Sequence, residues 1–250
     1  MRTPSDPDTH LADPFFWGAY HMAPWCNRLD AVPTDVKGTT VALASNFPDG
    51  SAIHGQVYAT PWKQVGDTTF KVQAGGDGWP WSYSVEVHFN VSRAQLGLEY
   101  VVANRADSPM PVGCGLHPWF GQPIHVRIPA SGVFPTNAHT AALPIGPSND
   151  LDLRRLTGLP PNVDATWVDL DPPQVELRWP CTGIAATIDV PEGTVMVAAR
   201  PESVGATAVE PQTHAPAGLR RLLNDEPYGL RSIPPGERLT FAVTLEFARV

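Results

Sequence analysis

The chain has 250 residues, enough to bury one sizeable core, and all-β sandwiches of this length commonly form a single domain. Its formal net charge of -8 opposes association with nucleic acid or an anionic membrane, because both require a basic surface. We therefore expect no nucleic-acid partner and no membrane partner, and a neutral small molecule as the ligand.

The N-terminal residues 1–14 are polar and interrupted by proline, and we expect a loose tail there rather than an element. The stretch lacks the apolar core of a secretory signal, and no apolar run in the chain approaches the ~18 residues of a membrane span. The cysteines, Cys26, Cys114 and Cys181, are far apart and odd in number, which favours neither a disulfide framework nor a cysteine zinc site. A reducing cytoplasm is the expected location.

Proline and glycine interrupt the rest of the chain so often that long helices are not expected. Proline accounts for 28 of 250 residues, about twice the usual ~5%, and there are 21 glycines. Short runs of alternating apolar residues predict strands instead. The predicted strands cover residues 39–44, 53–58, 83–91, 96–102, 124–128, 132–135, 175–179, 184–190, 194–199, 206–214 and 239–247, with one more beginning after Asp164.

The connections between these runs are predicted from their length and composition. The runs at 83–91 and 96–102 are separated by a short link and predict an antiparallel hairpin. Residues 136–161 are polar and proline-rich with weak periodicity, which predicts a long surface loop. A short helix at 217–224, opened by Pro216, is the only helix predicted.

The stretch at residues 112–120 has the features of a sugar-handling site. Gly113 and Gly115 permit positive φ and close backbone approach, and the aromatic ring of Trp119 offers a flat surface on which a sugar can stack. His117 lies between them. The alternative is a buried turn in which this histidine only hydrogen-bonds a carbonyl group.

Other candidate residues each have a functional and a structural interpretation. Arg28 can bind ligand hydroxyls or form an ion pair with a carboxylate such as Asp30. His54 lies near a strand end, where it can serve a site or simply satisfy hydrogen bonds. Trp62 can stack on a ligand or pack against the core.

Two carboxylates lie where predicted strands meet loops. Asp164 suits either turn capping or binding a hydroxyl, and Glu210 is either a site acid or a charge at the rim. The eight histidines show no tight spacing of metal ligands, so a metal-dependent β-barrel enzyme is the remotest alternative.

Several short motifs together resemble the aldose 1-epimerase (galactose mutarotase) family, specifically its divergent bacterial members. The similarity runs from about Ala23 to the C-terminus, and the motifs follow the family order. They are Pro24-Trp25-Cys26-Asn27-Arg28, Ile53-His54-Gly55, Gly115-Leu116-His117-Pro118-Trp119-Phe120, Val163-Asp164, Val209-Glu210-Pro211 and Pro235-Gly236-Glu237.

The resemblance implies a fold, a reaction and a set of site residues. The fold is a large antiparallel β-sandwich, the galactose mutarotase-like supersandwich, here as a single sugar-binding catalytic domain over residues 15–250. Glu210 is implied as the base that takes the anomeric hydroxyl proton, and His117 as the acid that protonates the ring oxygen, so we expect an ionised carboxylate beside a protonated imidazole. No metal or organic cofactor is implied. The residues implied to bind the sugar are Arg28, His54, Asp164, Trp62 and Trp119.

The chain departs from the family pattern in two places. Family members usually have strands before the arginine motif, where this chain has only the polar tail and residues 15–20, so we expect a missing sandwich edge or a shortened start. Gln56 replaces the second glycine of the histidine motif found in galactose-specific members, so galactose preference is not implied.

Three interpretations remain open within this scaffold. The first is an aldose 1-epimerase that acts on a monosaccharide, as a monomer or homodimer. The second is a noncatalytic carbohydrate-binding or regulatory protein, which is less favoured because both proton-transfer residues are present. The third is a hexose-phosphate mutarotase, for which the cations of a phosphate subsite would be Lys63, Arg220, Arg221 and Arg231.

Overall fold

The computed structural model describes residues 1–3, 6–12, 14–16, 18–136, 141–146 and 150–250, most of them in strands and turns. Two short α-helices, α1 (Pro7–Ala12) and α2 (Gly218–Leu223), and a 3-10 turn at Pro14–Phe16 lie among the strands. In the N-terminal half the strands are β1 (Ala19–Met22), β2 (Arg28–Leu29), β3 (Thr34–Val36), β4 (Thr39–Val41), β5 (Ala52–Ile53), β6 (Lys63–Gln64), β7 (Thr69–Gly76), β8 (Trp79–Val91), β9 (Gln95–Asn104), β10 (Met110–Val112) and β11 (Gly115–Gly121). In the C-terminal half they are β12 (His125–Arg127), β13 (Ala130–Phe134), β14 (Leu143–Pro144), β15 (Thr157–Gly158), β16 (Asp164–Leu170), β17 (Gln174–Trp179), β18 (Ile184–Asp189), β19 (Val195–Ala199), β20 (Ala206–Gln212), β21 (Arg231–Ile233) and β22 (Arg238–Arg249).

Two large antiparallel sheets form the framework of the molecule. One has seven strands in the order β1-β11-β20-β19-β16-β13-β14, and the other has nine in the order β15-β12-β17-β18-β22-β9-β8-β7-β6. A single buried apolar cluster contains residues of both, such as Val85 and Val102 from the nine-stranded sheet and Leu116, Trp167 and Val209 from the seven-stranded one. The fold is therefore the large antiparallel β-sandwich expected from the sequence. In the described part of the chain, no helix has the length and apolar character needed to cross a bilayer.

The hairpin predicted from the alternation of apolar residues is present as β8 and β9. Its register runs from Tyr83 opposite Asn104 to Val91 opposite Leu96. Side chains alternate between the two faces of a strand, so Tyr83, Val85 and Val87 all enter the core.

The predicted strand at 53–58 is wrong beyond its first residue. Strand β5 ends at Ile53 because His54 and Gly55 both adopt the left-handed conformation, with φ of 64° and 75°. A side chain at Gly55 would place its Cβ 2.0 Å from the carbonyl oxygen of Ala23, which explains the glycine.

Two stretches predicted to be irregular contain short elements. Among the described residues of the N-terminal stretch, Pro7–Ala12 form α1, and the backbone N–H of Arg2 donates to the carbonyl of Trp119 at 2.7 Å. Strand β1 precedes the arginine motif and forms an edge of the seven-stranded sheet. The predicted loop at 136–161 contains the short strands β14 and β15, and its residues 137–140 and 147–149 lie outside the described part. The predicted boundary at residue 15, between the N-terminal tail and the single domain, stays a prediction.

Candidate active site

The candidate acid and base lie on neighbouring strands of the seven-stranded sheet. Gly115 of β11 is opposite Gln212 of β20, and Trp119 is opposite Ala208. Because side chains two residues apart share a face of a strand, His117 and Glu210 lie between these pairs on the same face. Residues about 90 positions apart in the sequence are thereby neighbours.

The two side chains are in direct contact in a buried setting. Nε2 of His117 lies 3.1 Å from Oε1 of Glu210, and the two side chains are only 5% and 3% exposed. The other carboxylate oxygen accepts a hydrogen bond of 2.8 Å from Nε2 of Gln212. The ring of Tyr20 stacks on the imidazole at 4.4 Å between centroids, which fixes the orientation of the ring.

Burial shifts the proton equilibria of this pair towards the uncharged forms. Removal from water lowers the pKa of His117 to about 3. It raises the pKa of Glu210 well above its usual range, and the negative charge of Asp164 adds to this effect. The expected pairing of an ionised carboxylate with a protonated imidazole is therefore not the state that burial favours. Both shifts act in the direction of a carboxyl group beside a neutral imidazole.

The pair faces a cavity of about 270 Å³. Its lining combines aromatic rings with groups that can hydrogen-bond a ligand. The aromatic lining residues are Phe15, Phe16, Tyr20, Phe47 and Trp119. The polar lining residues are Asn27, Arg28, His54, His117, Asn162, Asp164, Ser203 and Glu210. Four of the five predicted sugar-binding residues, Arg28, His54, Asp164 and Trp119, thus line one cavity together with both predicted catalytic residues.

Trp62, the fifth predicted sugar-binding residue, does not line this cavity. Its ring packs against His21 at 5.1 Å, and its Nε1 donates to the carbonyl oxygen of Val57 at 3.1 Å. The packing interpretation of Trp62 is therefore the correct one.

Arg28 is held by two carboxylates at the cavity wall. Its Nε donates to Oδ2 of Asp49 at 2.6 Å, and its Nη1 lies 3.3 Å from Oδ2 of Asp164. Its guanidinium also lies 5.0 Å from the ring centre of Phe47. The ion-pair interpretation of Arg28 is correct, with Asp49 and Asp164 as partners, and the same geometry leaves the side chain in the cavity wall.

His54 enters the cavity because of the left-handed backbone at the end of β5. Its ring meets that of His117 edge-on, with centroids 4.9 Å apart, and its Nδ1 is buried without a hydrogen-bond partner among the described residues. Burial, with the charges of His117 and Arg28, holds the pKa of His54 well below its usual range. A residue that is not glycine in this conformation is uncommon and is often found at functional sites.

The sequence was also compared with known families and solved structures. The sequence model of the family described as aldose 1-epimerase matches residues 1–199. The chain belongs to the aldose 1-epimerase family. No curated protein matches the sequence at a significant level.

Solved structures of low sequence identity share the fold of this aldose 1-epimerase family member. A candidate aldose 1-epimerase from Escherichia coli K12 has a TM-score of 0.84 at 19% identity, covering 100% of this chain and 89% of its own. A galactose mutarotase-like protein from Clostridium acetobutylicum has a TM-score of 0.81 at 14% identity, covering 100% and 85%. An aldose epimerase homologue from C. elegans has a TM-score of 0.79 at 16% identity, covering 98% and 86%.

The N-terminal segment supplies residues of the cavity wall that were not predicted from the sequence of this aldose 1-epimerase family member. The carbonyl of Phe15 accepts a 2.6 Å hydrogen bond from Nε1 of Trp119, and the carbonyl of Phe16 accepts one from the guanidinium of Arg2. These bonds hold residues 14–16 against the cavity. The aromatic run from Phe15 to Tyr20 was the available signal, but strand periodicity does not show which surface it covers.

The glycines around His117 have one of the two features expected of them. Neither Gly113 nor Gly115 has a positive φ, so that part of the expectation is wrong. Both are needed for close approach: a Cβ at Gly113 would lie 2.3 Å from Cδ2 of His214, and one at Gly115 would lie 2.7 Å from the carbonyl oxygen of Pro211.

The cations expected for a phosphate subsite do not converge on the cavity of this aldose 1-epimerase family member. Lys63 is exposed on β6, and Arg231 lies on β21. Arg220 and Arg221 lie on α2, where both contact the carboxylate of Glu226. None of the four is among the described residues that line the cavity.

Two of the histidines, which show no metal-ligand spacing in the sequence, lie close together in the structure. One ring nitrogen from each of His54 and His117 and one carboxylate oxygen of Glu210 all lie within 4.8 Å of one another. The three ligand-type atoms come from distant parts of the sequence, so sequence spacing gave no signal of this cluster.

Proposed function

We propose that this protein is an aldose 1-epimerase that interconverts the α and β anomers of a monosaccharide by general acid–base catalysis. The observation that carries the proposal is the contact between His117 and Glu210 at the wall of a cavity. Family membership supports the same reaction class.

The reaction needs one proton removed and one delivered at two neighbouring oxygens of the sugar. Glu210 takes the proton of the anomeric hydroxyl while His117 gives a proton to the ring oxygen. The bond between C1 and the ring oxygen breaks, and C1 becomes an aldehyde carbon. Rotation about the C1–C2 bond exposes the other face, and closure by the reverse transfers yields the other anomer. Each proton transfer by a positioned side chain typically accelerates a reaction by a factor of ~10²–10⁴.

The proton count of the pair is consistent with this cycle. Opening begins from a carboxylate beside an imidazolium and ends with a carboxyl group beside a neutral imidazole. Burial favours the second state, as the pKa shifts of His117 and Glu210 indicate. The two states differ by one proton moved across a 3.1 Å contact, so the pair returns to its starting form without exchanging protons with bulk water.

The cavity dimensions and lining support a single sugar ring as the substrate. Ligand pockets in proteins commonly measure ~300–1,000 Å³, and about 270 Å³ lies just below that range. Arg28, His54 and Asp164 provide donors and acceptors for hydroxyl groups, and the ring of Trp119 provides an apolar face.

The charges at the cavity favour an uncharged sugar over a phosphorylated one. Arg28 is the cationic side chain among the described lining residues, and two carboxylates already neutralise it. A phosphate group placed there would meet Asp49 and Asp164 as like charges. We therefore propose a neutral aldose as the substrate and assign no preference between glucose and galactose.

The test follows the anomer ratio of freshly dissolved α-glucose, α-galactose and a hexose 6-phosphate by NMR. We expect the wild type to accelerate equilibration of at least one neutral sugar. Glu210→Gln and His117→Ala should each lower the catalysed rate by a factor of about 10²–10⁴. His88→Gln, a change at a part-exposed histidine on β8, serves as the matched control and should retain full activity.

Each outcome has a defined meaning. A wild type that binds a sugar without accelerating its equilibration supports the noncatalytic binding protein instead. Full activity in Glu210→Gln removes that residue from the role of base. Faster turnover of the phosphate than of the neutral sugars contradicts the proposed substrate charge.

A further inference from the structure

The cluster of His54, His117 and Glu210 has the composition of a transition-metal site. Two imidazoles and one carboxylate form a common ligand set for zinc in proteins, with a further position left open. All three side chains are buried, and the atoms they offer lie within 4.8 Å of one another. They belong to different parts of the framework: His54 follows β5, and the other two residues lie on β11 and β20.

One separation within the cluster, that between His117 and Glu210, matches the distances around a zinc ion. Bonds of ~2.0–2.2 Å at a tetrahedral angle separate neighbouring ligand atoms by roughly 3.3 Å. Nε2 of His117 and Oε1 of Glu210 are already 3.1 Å apart. Only a short movement of the His54 ring is then needed to bring in the third ligand atom.

The electrostatic surroundings also accept a cation. Asp164 lines the same cavity as Glu210, so a second carboxylate lies close to the cluster. Arg28 is the nearby positive group, and Asp49 and Asp164 bind it directly. A divalent cation would therefore gain from the buried carboxylate without facing an uncompensated positive charge.

The environment of the His117 imidazole indicates weak rather than permanent binding. Nε2 of His117 faces Glu210, and its second ring nitrogen, Nδ1, is buried without a hydrogen-bond partner among the described residues. Histidines of dedicated metal sites usually donate their second N–H to a carbonyl or carboxylate, and loss of that contact typically lowers affinity by ~10–100-fold.

We propose that a zinc-type divalent cation binds reversibly to His54, His117 and Glu210 and inhibits the protein, with its open position directed at the cavity. The cation occupies the imidazole lone pairs and the carboxylate, and the proton shared by the pair leaves to solvent. No group then remains to protonate the ring oxygen of the sugar. The binding site does not depend on the proposed function, whereas the inhibition rests on it.

Binding is tested by calorimetric titration of the full chain with Zn²⁺ after treatment with EDTA and dialysis. We expect one equivalent to bind to the wild type and the affinity to fall at least tenfold in His54→Gln, which keeps the acid–base pair. His88→Gln, at a part-exposed histidine, should bind as the wild type does. Mg²⁺ should not compete, because it prefers oxygen ligands.

A thermal melt of the same samples separates loss of the site from loss of the fold. Zn²⁺ should raise the Tm of the wild type and of His88→Gln but not that of His54→Gln, since a ligand stabilises the state it binds. Equal Zn²⁺ affinity in wild type and His54→Gln, or no binding to wild type, overturns the proposed site.

Mutarotation rates with and without Zn²⁺ test the inhibition. We expect Zn²⁺ to suppress the rate of the EDTA-treated wild type and EDTA to restore it. A rate that rises with Zn²⁺ overturns the inhibitory role. If the metal-free wild type has no activity on any sugar, the proposed function fails, while calorimetry still decides whether the metal site exists.

Discussion

Gly113 lies just before β11, a strand of the seven-stranded sheet. The imidazole of His214 fills the space beside this glycine. That ring is fixed on both sides: Nε2 accepts a hydrogen bond from the backbone N–H of Cys26 at 2.8 Å, and Nδ1 donates to the carbonyl of Ala215 at 2.7 Å. The ring cannot move away without losing one of these bonds. The absence of a side chain at Gly113 therefore lets the backbone pass close to the His214 ring just before it reaches His117.

We expect Gly113→Ala to destabilise the protein through this contact. Its Cβ would lie 2.3 Å from Cδ2 of His214, and overpacking of this kind costs about 1–3 kcal/mol. For a chain of this size, the Tm should fall by roughly 2–12 °C. Gly121→Ala is the matched control, because no atom lies within 4 Å of the added Cβ. Equal Tm values for the two variants, measured by circular dichroism, would contradict the explanation.

Arg28 gives a second prediction for a single residue. A lysine retains the charge but lacks the planar fork, so it cannot contact both Asp49 and Asp164 and also donate to a sugar hydroxyl as proposed for Arg28. One charge-assisted hydrogen bond to the sugar is then lost. Such bonds contribute about 1.5–3 kcal/mol, and we expect Arg28→Lys to raise KM by about tenfold or more with a smaller change in kcat.

Steady-state kinetics with the preferred sugar check this prediction. Arg127→Lys is the control, because Arg127 pairs with Glu176 on the nine-stranded sheet at 2.5 Å. A KM of Arg28→Lys equal to that of the control would exclude Arg28 from sugar binding.

At the scale of elements, the 3-10 turn at Pro14–Phe16 acts as part of the cavity wall. The ring of Phe15 lies 4.7 Å from that of Tyr58 and 6.2 Å from that of His54. The backbone carbonyls of the turn accept hydrogen bonds from Trp119 and Arg2, and these bonds hold the turn in place. The aromatic rings of the turn take no part in these bonds, so they can determine the shape of the cavity wall. A polar and proline-rich start of a chain usually predicts no such role.

We expect Phe15→Ala to weaken sugar binding while leaving the backbone bond to Trp119 in place. Aromatic contacts contribute about 0.5–1.5 kcal/mol, so KM should rise between about twofold and tenfold. The value of kcat should change little, because the acid–base pair is untouched. Phe70→Ala is the control, since that ring packs against Phe89 on the nine-stranded sheet at 5.7 Å. Loss of kcat at unchanged KM in Phe15→Ala would show that the turn supports the pair instead.

At the scale of the whole molecule, burial of uncharged histidines links folding to pH. Burial lowers the pKa of His21 and of His214 to about 4, against ~6.5 in an unfolded chain. Below pH 6.5 the unfolded chain therefore takes up protons that the folded chain does not, and stability is lost as pH falls towards 4. The raised pKa of Glu210 acts in the opposite direction, but the lowered pKa of His117 offsets it.

We expect the free energy of unfolding to decrease between pH 6.5 and pH 4.5 in urea titrations. His21→Gln should make this dependence shallower by up to about 1.4 kcal/mol per pH unit, the value for one proton. His88→Gln, at a part-exposed position, serves as the control and should keep the slope of the wild type. A free energy of unfolding that is constant over this range would contradict the burial of neutral histidines.

The sequence by itself determined the all-β class and the strong strands. Alternating apolar residues specify strands such as β8 and β9 locally, because successive side chains of a strand point to opposite faces. Short motifs also determined the candidates His117, Glu210, Arg28, His54 and Asp164, because their chemistry suits a sugar and their order resembles one family.

The tertiary structure alone decided which of these candidates meet. The neighbours of β11 are β1 and β20, and a strand's own residues do not encode which distant strand will pair with it. The pairing of β11 with β20 brings His117 to Glu210. Other tertiary contacts keep Trp62 out of the cavity and place Phe15 in its wall. The tertiary structure also decided the direction of the pKa shifts of His117 and Glu210, because these shifts depend on burial, and burial arises only when distant segments close over the same space.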